Sequence, residues 1–463
     1  MTSTVQPFTP ANAISEIADF IGDPVAAADF PGHRLRWRHD GAAAEVGLAT
    51  LTDDQWIDHF GRFTPLPGSL PVPLALRYHG HQFRVYNPDI GDGRGFLFAQ
   101  MRDAKGRLMD LGTKGSGQTP YSRFGDGRLT LKGGVREILA TEMLEALGVN
   151  TSRTFSLIET GEALHRGDEP SPTRSAVMVR LNHGHIRIGS FQRLATLGLT
   201  DELSRLTAYA LKHYYSEDAN NDAPVRLLVH VATRTAHLAA SYMAAGFVHG
   251  VLNSDNINIS GESFDYGPWR FAPTFDASFT AAYFDSAGLY SFGRQAEAIH
   301  WDVVQLAIAL SSIAEEAALE GALKAFAPAY RAALIEKFLW RLGVVPRGPA
   351  SDLAVVQALE TALTESQTSL DHFFFDWAGG VQRRGEYPHP AFDPLRTALD
   401  GYQSRLDQTH RYWSNDAPFA MLIEDVEAIW KPITDADDWS LLNAKVTAIR
   451  QMGDALANRR PAA

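Results

Sequence analysis

The spacing of apolar residues changes once along the chain, at about residue 190. Between about 76 and 190, short apolar runs alternate with clusters of Gly, Asp and Pro, a pattern typical of β-strands joined by turns. We predict strands over 95–101, 107–113, 153–159 and 175–181. The first two flank a turn-forming sequence and are predicted to pair as a hairpin.

One helix is predicted within this strand-rich region. Its apolar residues recur at every fourth position and therefore lie on one face: Val135, Leu139, Met143 and Leu147. Gly148 follows directly and is a typical stop signal. The pattern predicts a helix with one face against a core and its other positions free for solvent or for a cleft.

Beyond about residue 190, long segments rich in Ala and Leu carry a helical period. We predict helices over 203–216, 224–247, 297–317, 319–343 and 352–366, and a helical tail from about 390. The exception is 249–290, which is dense in Gly, Asn, Asp, Ser and aromatic residues and is predicted to be irregular.

These patterns predict an α+β fold with two lobes, a small strand-rich lobe followed by a larger helical lobe. A ligand is expected in the crevice between them. The predicted division is an N-terminal extension over 1–75, the strand-rich lobe over 76–190, the helical lobe over 191–390 and a C-terminal helical extension over 391–463.

Composition and charge exclude several classes of function. The 463 residues include 42 Lys and Arg against 54 Asp and Glu, a net charge of −12, which disfavours nucleic acid as a partner. The chain has no cysteine, which excludes disulfides, thiolate nucleophiles and cysteine-ligated zinc. It shows neither an uncharged apolar run of about 18 residues nor a secretory signal pattern. We expect a soluble cytoplasmic protein that does not act at a membrane.

Lys114 and Glu137 form the first candidate pair for chemistry. Lys114 ends a predicted strand and precedes a Gly-rich turn, a place from which an ammonium can reach a phosphate. Glu137 lies on the predicted helix, off its apolar face, and is either solvated or directed at the crevice. Protein kinases hold nucleotide phosphates with such a lysine and glutamate, although an ordinary exposed lysine fits the same spacing.

Two glycine-rich segments lie on either side of Lys114, at 89–95 and 125–128. Glycine lets a backbone approach a phosphate closely, and arginine donates two parallel hydrogen bonds. A plain hairpin turn has the same composition, so each segment alone is weak evidence.

Arg180 and Arg187 flank His183 and His185 at the end of the strand-rich region. The two guanidinium groups would help to bind a triphosphate. The histidines have no evident third metal ligand, and packing or surface roles are expected for them.

The most specific signal lies in the irregular segment. In kinase-like enzymes a His-x-Asp-x-x-x-x-Asn loop precedes Asp-x-Gly; the Asn and the second Asp hold magnesium, and the first Asp accepts the hydroxyl proton. Here Asn256 follows His249 by seven residues, and Asp265 begins the Asp-Tyr-Gly sequence. Such oxygen ligands favour Mg²⁺ or Mn²⁺. Val251 occupies the base position and accepts no proton, so Asp255 is the candidate base.

Several sequence blocks between about residues 78 and 300 resemble the selenoprotein-O-type protein adenylyltransferases, a family of pseudokinases. The blocks are Tyr78-x-Gly80-His81-Gln82-Phe83, Gly91-Asp-Gly93-Arg94, Lys114 to Arg128, Arg136-Glu137, His185-Ile-Arg187, Gly250 to Asn256, Asp265-Tyr-Gly-Pro268 and Tyr290 to Gln295. The resemblance implies a protein-kinase-like fold in which ATP binds flipped relative to kinases. It also implies an enzyme that transfers AMP from ATP, with UTP as an alternative donor, to Ser, Thr or Tyr hydroxyls of proteins.

The resemblance assigns roles to individual residues. Phosphates would be contacted by Lys114, Arg180 and Arg187, with Glu137 orienting Lys114. The nucleotide pocket would be lined by Gly91, Gly93, Arg94, Asp126 and Gly127. Asn256 and Asp265 would bind Mg²⁺ or Mn²⁺, and Asp255 would act as the base.

Two features depart from the family pattern. The chain lacks the cysteine or selenocysteine that members often carry near the C-terminus, so redox regulation of that kind is not expected. Arg84 stands where glycine is usual. Two other functions stay open: phosphotransfer to a small molecule, which Val251 disfavours, and an inactive pseudokinase that binds ATP as a scaffold.

Overall fold

A computed structural model describes residues 6–167 and 169–457 of the protein. It has an antiparallel sheet in the first part of the chain and helices in the second, so the predicted α+β class is confirmed. The strands are β1 Thr9–Ala11, β2 Gly22–Pro24, β3 Arg34–Arg38, β4 Leu74–Leu76, β5 Gly80–Gln82, β6 Val85–Asn87, β7 Leu97–Arg102, β8 Leu108–Lys114, β9 Leu129–Thr130, β10 Arg153–Leu164, β11 Thr173–Asn182, β12 Phe247–Val248 and β13 Arg270–Phe271.

Nine of these strands form one sheet. Their order is β2-β4-β7-β8-β11-β10-β3, with β1 paired to β7 and β9 paired to β11, and every pair is antiparallel. The predicted hairpin is present as β7 and β8. Two small separate sheets consist of β5 with β6 and β12 with β13.

Alternation along β11 determines on which face of the sheet each side chain lies. Val177 and Val179 belong to the core on one face of the sheet, whereas Met178 belongs to the core on the other face. Arg180 therefore shares the face of Met178. Because Met178 lies opposite Lys114 of β8, Lys114 and Arg180 project from the same side of the sheet.

The described helices are α1 Ala18–Ile21, α2 Asp40–Glu45, α3 Asp53–Phe60, α4 Leu131–Ala146, α5 Ile188–Thr196, α6 Thr200–Ala210, α7 Ala223–Ala245, α8 Gln295–Leu310, α9 Glu316–Leu323, α10 Phe326–Leu342, α11 Pro349–Ser366, α12 Leu370–Asp376, α13 Phe392–Leu399, α14 Ile423–Ala436 and α15 Ser440–Ala457. The helix α4 is the one predicted from the four-residue period. It packs its apolar residues, with those of β10 and β11, into one buried core.

The structure corrects three helix predictions, and the first is the helix over 297–317, which ends early because α8 stops at Leu310. The segment 319–343 is not one helix but two, α9 and α10. Pro328 lies in the first turn of α10 and has no N–H to donate to the preceding turn, so a continuous helix is disfavoured there. The helix predicted over 203–216 ends at Ala210 and continues as the π-helical turn Leu211–Tyr215.

Residues ahead of position 76 contribute to the sheet and support the loop after Lys114. Strands β1, β2 and β3 all pair within the nine-stranded sheet. Ala28 N donates a hydrogen bond of 2.9 Å to Ser116 O, just beyond the end of β8. The domain boundaries given above stay a prediction.

Candidate active site

A cleft of about 660 Å³ opens between the glycine-rich loops of the sheet and the irregular segment after α7. Ten of the twelve predicted site residues line it: Gly91, Gly93, Arg94, Lys114, Asp126, Gly127, Arg180, Arg187, Asp255 and Asp265. Glu137 lies directly behind Lys114, and Asn256 follows Asp255 in a 3₁₀ turn. Residues between Tyr78 and Asp265 of the chain thus meet around one cavity.

Glu137 is buried, with 1% of its surface exposed, and it accepts a hydrogen bond of 2.8 Å from Lys114 Nζ. The lysine also donates to the Tyr266 carbonyl at 3.1 Å. Burial lowers the pKa of Lys114, and the Glu137 and Asp265 carboxylates oppose that effect. Of the two alternatives for Glu137, solvent or cleft, the structure supports the cleft.

Asp265 is the centre of the charged groups in the cleft. Its Oδ1 lies 3.4 Å from Lys114 Nζ and 3.2 Å from Arg180 NH1, and its Oδ2 lies 3.1 Å from Arg187 NH1. Although burial opposes ionisation, the positive charges of Arg180, Lys114 and Arg187 hold the pKa of Asp265 well below its ordinary value. The carboxylate is therefore ionised and shared by three cations.

The backbone at Asp265 is held in a sparsely populated conformation, with a φ of +62°. The buried His249 side chain contacts the preceding carbonyl, since its Nε2 lies 3.0 Å from Phe264 O. His249 thus fixes the segment that directs the carboxylate into the cleft.

Arg187 joins both sides of the cleft. Its NH2 lies 3.2 Å from Asp92 Oδ1, and its NH1 donates to the Asp255 carbonyl at 3.0 Å. The guanidinium also lies over the rings of Tyr78 and Phe264, 4.4 and 4.8 Å from their centroids. Burial raises the pKa of Asp92, and Arg187 opposes the shift.

Asp255 is 7% exposed and lines the cleft, and its Oδ1 is buried without a hydrogen-bond partner among the described residues. Burial raises its pKa to about 6, with Arg187 acting in the opposite direction. A Cβ on Gly80 would lie 2.8 Å from Asp255 Oδ1, so glycine at that position permits the approach. The turn is anchored from β5, where His81 N donates to Ser254 Oγ at 2.8 Å.

The glycine-rich loops pack tightly against one another. A Cβ on Gly91 or Gly93 would collide with Tyr121, and one on Gly127 would overlap the backbone of Gly117. Arg94 is exposed at the cleft and forms no ion pair with any described residue. Its charge is therefore available to a bound anion.

Asp126 extends the cleft towards the hairpin of β10 and β11. Its Oδ2 lies 2.8 Å from Arg166 NH1, and Arg166 also lines the cleft. Arg166 was not among the residues predicted from the sequence, because it lies in a polar connection with no motif around it.

The donor chemistry at the predicted metal site is that of a hard cation. Asn256 Nδ2 donates to Val251 O at 3.0 Å, and Asp265 supplies an ionised carboxylate. Among the described residues, no group of three or more His, Asp or Glu side chains forms a ready cluster for a metal ion. An amide and a carboxylate with further oxygens from nucleotide phosphates would suit Mg²⁺ or Mn²⁺.

Several lining residues were not predicted from the sequence. They include Tyr78, Gln82, Asp92, Tyr121, Arg123 and Arg166. Asp92 stands between two glycines that were predicted, and its acidic side chain next to them was the available signal. His183 and His185 are buried beside this region, where His183 Nδ1 contacts Leu108 O at 2.8 Å and His185 Nδ1 lies 3.3 Å from Asp110 Oδ2. These contacts agree with the packing role expected for them.

In the described part of the chain, no helix has both the length and the apolar character that crossing a bilayer requires.

Comparison with known proteins places this cleft in a family. A family model described as protein adenylyltransferase SelO matches residues 8–450. A protein nucleotidyltransferase YdiU of Synechocystis sp. is 48% identical, with 97% of this chain and 99% of the relative covered. A protein of the same name from Gloeobacter violaceus is 44% identical, with 92% of this chain and 92% of the relative covered. Another from Synechococcus elongatus is 42% identical, with 98% of this chain and 96% of the relative covered. The resemblance read from the sequence is confirmed: the chain belongs to the protein adenylyltransferase SelO family.

Proposed function

We propose that the protein transfers AMP from ATP to hydroxyl side chains of other proteins, with a divalent cation as cofactor. Its family and the nucleotidyltransferase names of its relatives support the reaction class. The observation that carries the proposal is the convergence of Lys114, Arg180 and Arg187 on the Asp265 carboxylate in one cleft. Three cations around one carboxylate are suited to a ligand that carries several phosphate charges.

In the proposed reaction, an acceptor hydroxyl oxygen attacks the α-phosphorus of ATP. The new oxygen–phosphorus bond forms as the bond from the α-phosphorus to the bridging oxygen of the β-phosphate breaks, and pyrophosphate leaves. Lys114, Arg180 and Arg187 would stabilise negative charge on the leaving group, and this electrostatic stabilisation is fixed in advance by Glu137 behind Lys114.

Asp255 is proposed as the base that takes the proton of the acceptor hydroxyl. Asp255 lines the cleft, and its Oδ1 makes no hydrogen bond to a described residue, so the carboxylate can still accept one from a hydroxyl. General-base help of this kind contributes typically about 10²–10⁴-fold to a rate. The position two after His249, which holds the base in kinases, is Val251 and has no proton acceptor.

Asn256 and Asp265 are proposed to hold Mg²⁺ or Mn²⁺. When bound, the cation would neutralise phosphate charge and polarise the reacting phosphoryl group. This chain's own residues orient the site: His249 fixes the backbone before Asp265, and the Val251 carbonyl holds the amide of Asn256.

We also propose that the sheet with α4 and the later helices form the two lobes of a protein-kinase-like fold, divided as predicted from the sequence. The strand lysine and helix glutamate in contact support this. The same proposal includes UTP as a second nucleotide donor. It also includes a cytoplasmic location and no nucleic-acid or membrane partner. Crystals with a non-hydrolysable ATP analogue test the fold and the flipped orientation of ATP together.

The decisive experiment compares ATP labelled on the α-phosphate with ATP labelled on the γ-phosphate. The purified protein is incubated with Mg²⁺ or Mn²⁺ and an acceptor protein mixture, and modified proteins are identified by mass spectrometry. We expect the acceptor proteins to carry label from the α-phosphate only, and we expect that label to be lost when the metal is chelated. Label from the γ position only would establish phosphotransfer, and no label with either cation, together with retained ATP affinity, would support an ATP-binding scaffold.

A further inference from the structure

A second cavity, separate from the active-site cleft, has a strongly basic lining. It measures about 600 Å³ and shares no lining residue with the cleft. The turn between β7 and β8, the π-helical turn Leu211–Tyr215 and α7 enclose it, and α10 adds one lysine. None of its lining residues is Asp or Glu. Six of them are lysines or arginines: Arg102, Lys105, Arg107, Lys212, Arg234 and Lys337. We call it the basic cavity.

Two of the six cations are already neutralised by carboxylates. Arg107 NH2 lies 2.7 Å from Asp103 Oδ2, and Lys212 Nζ lies 2.9 Å from Glu16 Oε1. These pairs stabilise the walls of the cavity and contribute little net charge to a ligand.

The other four cations have no carboxylate within ion-pair distance among the described residues. Arg102 NH1 donates to Gly106 O at 2.8 Å, and Lys337 Nζ donates to Gly148 O at 3.3 Å. A carbonyl orients such a group but does not cancel its charge. Lys105, on the turn after β7, is exposed at the cavity and forms no ion pair with the described residues.

Arg234 of α7 is the most firmly held of the four. Its NH2 donates to Tyr214 O at 3.3 Å, and the guanidinium lies 4.2 Å from the centroid of the Tyr215 ring. Next to it, Ser260 lines the cavity, and its buried Oγ has no hydrogen-bond partner in the described structure. A positioned guanidinium beside an unused hydroxyl is an arrangement that an oxyanion would complete.

The lining indicates which chemical class the cavity takes. Four unneutralised cations in a protein of net charge −12 are not part of a generally basic surface. The volume is that of a small-molecule site, too large for a single inorganic ion. The Tyr215 ring already contacts His230, with centroids 4.4 Å apart, and Arg234, so the cavity offers charge rather than an aromatic surface for a base.

We propose that the basic cavity is a second binding site, for a small molecule that carries several phosphate groups. The site is joined to the active-site cleft by strand β8, which begins beside Arg107 and ends at Lys114, roughly 20 Å further along the chain. A ligand here would therefore bind without contacting the AMP-transfer site.

The test is calorimetric titration of the full protein with inorganic tripolyphosphate, without divalent cation. Two binding events are expected in the wild type. The double variant Arg234→Gln with Lys337→Gln should weaken one event at least about 10-fold, because each lost contact is a charge-assisted hydrogen bond. The variant Lys114→Gln should weaken only the other event. Identical titrations of the wild type and the double variant would overturn the proposal.

Two controls make the result specific. Lys324→Gln with Arg331→Gln removes one exposed lysine and one exposed arginine elsewhere and should leave both events intact; equal weakening there would reduce the effect to net charge. Lys105→Gln changes an exposed residue of the same cavity and should weaken the same binding event. It therefore tests the proposal if the double variant unfolds. A short aspartate peptide that competes as well as tripolyphosphate does would overturn the assignment to phosphates.

Discussion

Lys114 Nζ lies 3.4 Å from Asp265 Oδ1, although one residue ends a sheet strand and the other lies in the irregular segment after α7. This contact closes the cleft on its cationic side and brings the sheet and the later segment to one point.

Replacing Lys114 by Gln should lower the rate of AMP transfer by about 10²-fold or more, the usual loss when one group that stabilises transition-state charge is removed. Asp265 keeps Arg180 and Arg187, but the buried Glu137 loses its cation, so thermal unfolding of the variant is measured beside the rate. The rate is measured with α-labelled ATP. Lys431→Gln, on the exposed face of α14, is the matched control and should transfer AMP normally; an unchanged rate for Lys114→Gln would remove this lysine from the mechanism.

Asp255→Asn should lower AMP transfer by about 10²–10⁴-fold and leave the affinity for a non-hydrolysable ATP analogue nearly unchanged. The amide has nearly the shape of the carboxylate but is a far weaker base. Transfer is followed by mass spectrometry and affinity by calorimetry, with the exposed Asp393→Asn as control. Loss of nucleotide affinity in step with activity would assign Asp255 to binding instead.

Gly127→Ala should destabilise the loop that lines the cleft and weaken ATP binding. The residue has a φ of +70°, and an added Cβ would overlap the backbone of Gly117. The left-handed conformation alone costs about 1–2 kcal/mol with a side chain. Gly321→Ala, on α9, is the control, because no heavy atom lies within 4 Å of its Cβ position. Thermal unfolding and ATP titration should separate the two variants, and equal behaviour would contradict the packing.

His39 should make the protein sensitive to acid. Burial, with the nearby charge of Arg450, lowers its pKa to about 4 from 6.5. Between pH 6.5 and 4 the imidazole of His39 binds a proton in the unfolded chain but not in the folded chain. The free energy of unfolding therefore falls as the pH drops from 6.5 to 4. The loss through this group is about 3 kcal/mol.

His39→Asn should flatten that dependence. The asparagine side chain can still accept the capping hydrogen bond that His39 Nδ1 takes from Ala42 N. Unfolding in urea is measured at several pH values between 4 and 7.5. His410→Asn, at another capping histidine, is the control; a wild-type pH dependence in His39→Asn would place the acid sensitivity elsewhere.

Much of the site was readable from the sequence because its residues sit in strong local patterns. The strand ending at Lys114 and the helix of Glu137 each have a clear apolar period, and His249 is spaced from Asn256 as in kinases. The pairing of Arg187 with Asp92 was not readable, since nothing local links an arginine before α5 to an acid between two glycines. Such long-range pairs are determined by packing of the whole chain.

The fold was predicted less completely where elements are short. Strands β1 and β2 have three residues each, too few to show alternation, and they pair with β7 and β4 from far along the sequence. The break between α9 and α10 was missed because alanine and leucine keep a helical pattern across it, while Pro328 removes the backbone donor.

The hydrogen bond from Ala28 to Ser116 has a practical consequence for any shortened form of this enzyme. A fragment that starts at the first glycine-rich loop would contain every residue assigned to the chemistry, yet it would lack the segment that braces the turn after Lys114. We therefore expect a fragment trimmed in this way to keep every proposed catalytic side chain but to bind nucleotide phosphates more weakly.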